Sequence, residues 1–95
     1  MPCPETVLEN YFIKQCKKYK IWQNKFTSGV TGVPDRIIIA NGLTAFIELK
    51  AKNGVLSERQ KRVIMQIKSH GGIVFVPYSK ADIDKIITQL ICKKL

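Results

Sequence analysis

The chain has 95 residues, which is enough for one small domain, and we predict that this domain spans residues 1–95. Hydrophobic residues make up 45% of the sequence, and this content excludes a disordered or collagen-like chain. Sixteen Lys and Arg residues against seven Asp and Glu residues give a formal net charge of +9. A polyanionic partner is therefore expected, with nucleic acid the first candidate and an anionic membrane surface the second.

The first residues and the spacing of the cysteines indicate the cellular compartment of the protein. The first residues lack the basic and apolar regions of a signal peptide, and no apolar run approaches the roughly 20 residues of a membrane-spanning helix. The cysteines Cys3, Cys16 and Cys92 form no CxxC pair, which disfavours a disulfide framework or a zinc site. We expect a cytoplasmic protein that does not contact a membrane, with Cys16 as a small core residue.

The first half of the chain predicts one helix and three strands. An apolar stripe at helical spacing predicts a helix over residues 4–19, and its members are Leu8, Phe12, Cys16 and Tyr19. Residues 21–26 have the composition of a short strand. Two apolar runs, residues 34–40 and 43–49, flank Asn41-Gly42, which predicts a hairpin with a two-residue type I′ turn.

The second half predicts a helix, a strand and a last helix. Ser57 suits the N-cap of a helix that continues to about Ser69, and residues 73–76 predict a buried strand. Ser79 and Asp82 have capping-box spacing before a helix with an apolar stripe, which consists of Ile83, Ile86, Ile87, Leu90 and Ile91. The predicted class is α/β, with the order α-β-β-β-α-β-α and a mixed sheet flanked by helices.

The predicted hairpin brings two carboxylates together. A two-residue turn at Asn41-Gly42 places Asp35 directly opposite Glu48, and side-chain alternation puts Lys50 on the same face. Opposed like charges destabilise a sheet, so a compensating partner is expected. A divalent metal such as Mg²⁺ is one such partner. The alternative is an ordinary salt bridge from Glu48 to Lys50 or Arg36.

Two further polar residues lie on predicted apolar helix faces. Glu5 projects near the middle of the first helix's apolar stripe and Glu9 lies at its margin, so either acid could join the carboxylate pair. The alternative for Glu5 is a first-turn acid that complements the helix dipole. Gln60 points inward on the second helix, where the alternative is a capping box with Ser57.

Four short motifs follow one another in this order: Gly32-Val33-Pro34-Asp35, Ile37-Ile38-Ile39, Phe46-Ile47-Glu48-Leu49-Lys50 and Leu56-Ser57-Glu58-Arg59-Gln60. Together with an acid on the preceding helix, they resemble the PD-(D/E)XK nuclease superfamily. More narrowly, the chain resembles a stand-alone virus-type replication-repair nuclease (VRR-NUC) domain. The resemblance implies a restriction-endonuclease-like core and an endonuclease that depends on Mg²⁺ or Mn²⁺.

The resemblance also implies roles for individual residues. Asp35, Glu48 and the backbone carbonyl of Leu49 would bind the metal, and Glu5 (or Glu9) would complete the acidic set. Two other residues would complete the catalytic set, with Lys50 orienting the attacking water and Gln60 assisting at the site.

The same resemblance implies a substrate and an assembly. Stand-alone members resemble Holliday-junction resolvases that act as homodimers on branched DNA, in a bacterial or phage-infected host cytoplasm. One 95-residue domain offers one site, so two coordinated cuts require a second copy. The Ile-rich last helix could supply the dimer surface, or it could pack on its own sheet.

Basic residues flank the predicted site and favour contact with a DNA backbone. The residues expected to bind DNA are Lys52, Arg59, Lys61, Arg62 and Lys25. A second basic cluster lies on and after the first helix and comprises Lys14, Lys17, Lys18 and Lys20. The alternative for both groups is a solvated helix face. The alternative function is a non-catalytic nucleic-acid-binding module, which would explain the charge but not the opposed carboxylates.

Overall fold

Three helices and four strands make up the part of the chain that the computed structural model describes, residues 4–51 and 53–92. The elements in chain order are α1 (Glu5–Lys18), β1 (Trp22–Lys25), β2 (Arg36–Ala40), β3 (Leu43–Ile47), α2 (Glu58–Ser69), β4 (Val74–Phe75) and α3 (Lys80–Cys92). The predicted α/β class and the predicted element order are confirmed. None of the helices in these residues is long and apolar enough to cross a bilayer.

The four strands form one mixed sheet in the order β1-β2-β3-β4. Strands β1 to β3 are antiparallel neighbours, and β4 runs parallel to β3 after the crossover through α2. Asn41 and Gly42 have φ values of 51° and 81°, and a type I′ turn requires a positive φ at both positions. The turn pairs Ala40 with Leu43 and Ile37 with Phe46, so the predicted hairpin register is confirmed.

The strands are shorter than predicted. The β2–β3 ladder ends at the pair Arg36–Ile47, so Asp35 and Glu48 lie one step beyond it and not in the strands themselves. Pro34 precedes Asp35 and has no N–H to continue the ladder. β1 and β4 are also shorter than residues 21–26 and 73–76. Pro77 limits β4 for the same reason, because it can only accept a hydrogen bond.

One face of the sheet, here called the α1 face, is covered by α1 and α3 and holds the main core. The core residues are Leu8, Phe12, Cys16, Ile21, Ile38, Ala40, Ala45, Ile47, Leu49, Ile83, Ile86, Ile87 and Leu90. Cys16 is a buried core residue as predicted, and burial raises the pKa of its thiol to about 12. Tyr19 and Ile91 are exposed, so their predicted places in the apolar stripes are wrong. Tyr19 lies outside the core because α1 ends at Lys18.

The opposite face of the sheet, the α2 face, carries α2 and the predicted carboxylates. Ile64 of α2 is buried there, and α2 lies against β4. The helix begins with a complete capping box: the Ser57 hydroxyl accepts a hydrogen bond from the Gln60 N–H, and the Gln60 side chain accepts one from the Ser57 N–H. The Gln60 Nε2 also lies 3.4 Å from Glu48 Oε2, so the start of α2 is beside the end of β3.

A buried arginine anchors α1 to the sheet. The Arg36 side chain lies on the α1 face with only 3% of the residue exposed. Its guanidinium is 3.2 Å from Glu9 Oε2, donates to Gln23 Oε1, and lies 5.9 Å from the centre of the Phe12 ring. A buried charge without partners is strongly destabilising. Glu9 is therefore the counterion that allows Arg36 to lie in the core.

This ion pair predicts different effects for the two acids of α1. We expect Glu9→Ala to lower the free energy of unfolding by about 1–3 kcal/mol, because it removes the carboxylate partner of a buried guanidinium. Glu5 is exposed, so we expect Glu5→Ala to change it by no more than about 0.5 kcal/mol. Urea denaturation of the two variants measures the difference. Equal losses in both variants would contradict the structural role given to Glu9.

Candidate active site

Three polar side chains project from the α2 face where β2 begins and β3 ends. The Glu48 N–H donates to Phe75 C=O at 3.0 Å, and the Lys50 N–H donates to Pro77 C=O at 3.1 Å. These bonds continue the β3–β4 ladder beyond the assigned strands, so Glu48 and Lys50 share a face. Lys50 Nζ lies 3.8 Å from Glu48 Oε2. Asp35 lies directly before β2, where its C=O accepts the Phe26 N–H at 2.8 Å.

Glu48 is buried with 6% of the residue exposed, whereas Asp35 is exposed. Burial raises the pKa of the Glu48 carboxyl above its ordinary value of 4.5, and the negative charge of Asp35 raises this pKa further. Lys50 and the backbone N–H of Asp35 lower it, but the net direction is upward. The lysine contact is thus the salt bridge predicted as an alternative, and it does not fully offset the unfavourable environment of the carboxylate.

The raised pKa has a consequence for stability. In the folded protein the ionised form of Glu48 is penalised relative to the unfolded chain, so the folded state holds its proton to a higher pH. Stability consequently falls as pH rises from the ordinary carboxyl pKa through the folded-state pKa, and below the ordinary value the penalty is absent. A cation placed beside Glu48 would remove the penalty at neutral pH.

The two acids of α1 have different relations to this pair. Glu9 is occupied by Arg36 on the α1 face, 3.2 Å from the guanidinium. Glu5 is exposed on the first turn of α1, contrary to the expectation that it faces the sheet among apolar residues. Its negative charge nevertheless contributes to raising the pKa of Glu48. The structure therefore relates Glu5, and not Glu9, to the carboxylate pair.

Gln60 reaches Glu48 while it also caps α2. Its Oε1 accepts the Ser57 N–H at 2.9 Å, and its Nε2 is 3.4 Å from Glu48 Oε2. The capping bond occupies the amide oxygen, so the amide nitrogen is directed toward the carboxylate. The sequence presented these as alternatives, and the structure shows that both hold together. Gln60 thereby ties the orientation of Glu48 to the start of α2.

Gly32 allows the loop before Asp35 to pack against α2. Its φ is +96°, and a Cβ at this position would lie 3.0 Å from Arg59 C=O and 3.0 Å from Val63 Cγ2. A side chain would therefore push the loop away from the helix that presents Gln60. The close approach explains the glycine two residues before Pro34.

The backbone of Leu49 faces the opposite way from the backbones of its two neighbours. Glu48 and Lys50 direct their N–H groups toward β4, so the intervening Leu49 directs its backbone groups the other way, toward β2. The Leu49 side chain is buried in the core on the α1 face. Its carbonyl is thus on the side of the strand where Asp35 lies, as a backbone ligand would have to be.

Both the sequence and the fold of the chain match a known protein family. The model of the VRR-NUC domain family matches residues 4–81 of the chain. The chain belongs to the VRR-NUC family. A solved structure of a VRR-NUC domain is 25% identical in sequence and superposes with a TM-score of 0.80, covering 88% of this chain and 94% of the other. No curated protein matches the chain.

Membership in the VRR-NUC family makes the chain a nuclease domain with DNA as its partner, from a family that generally uses divalent metals. The donors present fit a hard cation, because Mg²⁺ takes one or two carboxylates and keeps water on its other positions. Asp35 and Glu48 would provide these two carboxylates. Within residues 4–51 and 53–92, no three or more His, Cys, Asp or Glu side chains gather as a metal cluster.

The predicted DNA-binding residues of this VRR-NUC domain lie in different places. Arg59, Lys61 and Arg62 are exposed on α2, the helix that carries Gln60. Lys61 is 3.4 Å from Glu58, an exposed pair that contributes little to stability. Lys25 is exposed on β1 opposite Arg36, so its side chain projects from the α1 face, away from the carboxylates. Lys52 lies outside the described residues.

The double role of Gln60 can be separated by two substitutions. Gln60→Glu keeps a residue that completes a capping box but replaces the Nε2 donor with a carboxylate oxygen beside Glu48. We expect it to match the wild type at pH 4 and to lose about 1–3 kcal/mol of unfolding free energy at pH 7. Urea denaturation at the two pH values measures this.

The matched control is Gln60→Ala, which loses the cap at both pH values and is expected to lose about 1 kcal/mol at each. If Gln60→Glu were as stable as the wild type at pH 7, the contact between Gln60 and Glu48 would be absent in solution.

Proposed function

We propose that this VRR-NUC domain is a Mg²⁺- or Mn²⁺-dependent endonuclease that hydrolyses phosphodiester bonds in branched DNA such as four-way (Holliday) junctions. The observation that carries the proposal is the buried Glu48 carboxylate beside Asp35, with Lys50 Nζ 3.8 Å away on the same face of the sheet. A purely DNA-binding surface gains nothing from two neighbouring carboxylates, because they repel the phosphate backbone. A hydrolytic site that recruits a cation requires them.

In this proposal, some residues of the chain bind the metal ion and another orients its ligand. Asp35, Glu48 and the Leu49 carbonyl would hold the ion, and Glu5 would add negative charge nearby. A bound divalent ion lowers the pKa of water and neutralises charge that develops on the phosphate. Gln60 fixes the Glu48 carboxylate through its Nε2 hydrogen bond, so the ligand is oriented before the ion binds.

Lys50 is proposed to act on the reacting groups. Its side chain is only 17% exposed, and its ammonium lies beside Glu48 and not free in solvent. In this place it can donate hydrogen bonds to the attacking water or to a phosphate oxygen, and its positive charge favours the transition state over the ground state. The exposed Arg59 and Arg62 on α2 would hold the neighbouring backbone without reading sequence.

A homodimer is proposed because a four-way junction needs two coordinated cuts and the single nuclease domain predicted for residues 1–95 would supply one site. The last helix is a poor dimer surface, since Ile83, Ile86, Ile87 and Leu90 are buried in the chain's own core. Action in a bacterial or phage-infected host cytoplasm would give this dimer access to replicating DNA.

The proposal is tested by incubating the protein with labelled four-way junction or linear duplex, in Mg²⁺ or in EDTA. We expect cleavage of the junction in Mg²⁺ only. Lys50→Ala is expected to slow cleavage roughly 10²-fold or more while DNA binding, measured by fluorescence anisotropy in EDTA, stays near the wild-type level.

Arg62→Ala is the complementary control, because it removes a backbone contact and leaves the carboxylate site intact. It is expected to weaken binding and to reduce the salt dependence of binding, without abolishing cleavage at saturating protein. Binding to all DNA forms without metal-dependent cleavage would overturn the nuclease proposal in favour of a non-catalytic nucleic-acid-binding module.

A further inference from the structure

The α2 face of the sheet continues from the carboxylates to an exposed pair of apolar side chains. Trp22 on edge strand β1 pairs directly with Ile39 on β2, and alternation along β2 puts Ile39 on the same face as Asp35. Trp22 is 53% exposed and Ile39 is 42% exposed. Since α2 lies against β4 at the far edge of the sheet, this end of the face is open to solvent.

The spacing between the two ends of the face suits a nucleic acid. Asp35 and Ile39 are four residues apart on β2, which is about 13 Å at the rise of an antiparallel strand. Successive nucleotides of one duplex strand are about 3.4 Å apart along the axis. The exposed pair is therefore about four base steps from the carboxylates. Ile37, which is partly buried, lies between them on the same face of β2.

The size of the patch does not fit a second copy of the chain. A large aromatic side chain has about 150–250 Å² to bury, so the exposed parts of Trp22 and Ile39 amount to on the order of 200 Å². A stable interface buries about 800 Å² on each partner. One flat indole of this size instead matches the face of a single nucleobase.

The charge around β1 favours the same partner. Residues 10–34, which include β1 and its flanking residues up to the one before Asp35, contain no Asp or Glu. The same segment contains five lysines, which are Lys14, Lys17, Lys18, Lys20 and Lys25. A positive segment of this kind attracts a phosphate backbone and opposes self-association.

We propose that Trp22, supported by Ile39, is a stacking platform for a nucleobase that is unpaired near the branch point or end of the DNA substrate. Base–aromatic stacking is tolerant of sequence because every base has a π face. The platform would thus select DNA by the presence of an unstacked base and not by sequence. The inference rests on the DNA binding in the proposed function, and it does not require cleavage.

The chain contains one tryptophan, so its indole fluorescence reports on Trp22 alone. The test titrates the protein in EDTA with a four-way junction, a splayed duplex with unpaired arms, and a fully paired duplex of equal length. We expect strong quenching by the splayed DNA and the junction and little by the paired duplex. Anisotropy of the labelled DNA, read in the same samples, confirms that each DNA is bound.

Variants separate stacking from general attraction. Trp22→Ala is expected to weaken binding of the splayed DNA about tenfold and to leave paired duplex unchanged, whereas Trp22→Phe recovers most of the affinity. Ile13→Ala is the matched control, because Ile13 is an exposed residue of α1, which covers the opposite face. It should bind every DNA as the wild type does.

Two results would overturn the platform. One is unchanged Trp22 emission at saturating splayed DNA, together with wild-type binding by Trp22→Ala. The other is Trp22 emission that changes with protein concentration in the absence of DNA, together with a Trp22→Ala variant that sediments as a monomer where the wild type sediments as an oligomer. This result would make the patch a self-association surface. Because no metal is present, absence of cleavage would bear on the proposed function alone.

Discussion

The site depends on the enforced proximity of two carboxylates, one exposed and one buried. The Asn41-Gly42 turn sets the register of β2 and β3, and that register brings Asp35 beside Glu48 one step past the last strand pair. Burial and the charge of Asp35 both oppose ionisation of Glu48. The sheet thus holds a carboxylate in an environment that a cation would improve, and the surrounding elements prevent the pair from moving apart.

The supports come from both faces of the sheet. On the α1 face, Arg36 follows Asp35 directly in the chain and is fixed by Glu9 and Gln23. On the α2 face, the capping box of α2 directs Gln60 toward Glu48. Strand alternation separates the two networks, so one acid of α1 serves packing while the carboxylate pair remains available. Each network fixes a residue next to, or in contact with, one member of the pair.

The sequence predicted those parts of the fold that depend on local chemistry. Asn41-Gly42 determined the turn and hence the hairpin register, and the apolar spacing determined the helices. The strand ends were less predictable, because Pro34 and Pro77 stop the ladders while hydrogen bonds continue on one side.

The choice between Glu5 and Glu9 could not be made from helical angles, because it depends on which of the two acids the Arg36 guanidinium contacts. The two roles of Gln60 were alternatives in the sequence analysis. Its contact with Glu48 joins two different elements, so it depends on how α2 packs against the sheet. Trp22 carried no signal, because alternation gives the face of a residue and not whether a helix covers that face.

The most direct measurement of the central claim is an NMR titration of the Glu48 side-chain carboxyl, without metal and with saturating Mg²⁺. The raised pKa predicts a metal-free titration above the ordinary value of 4.5, with Asp35→Asn moving it downward. Mg²⁺ is predicted to lower the pKa as well, because the ion competes with the proton for the same oxygen. An ordinary pKa that neither Mg²⁺ nor Asp35→Asn changes would contradict the account, since Glu48 would then be neither repelled by Asp35 nor available to a cation.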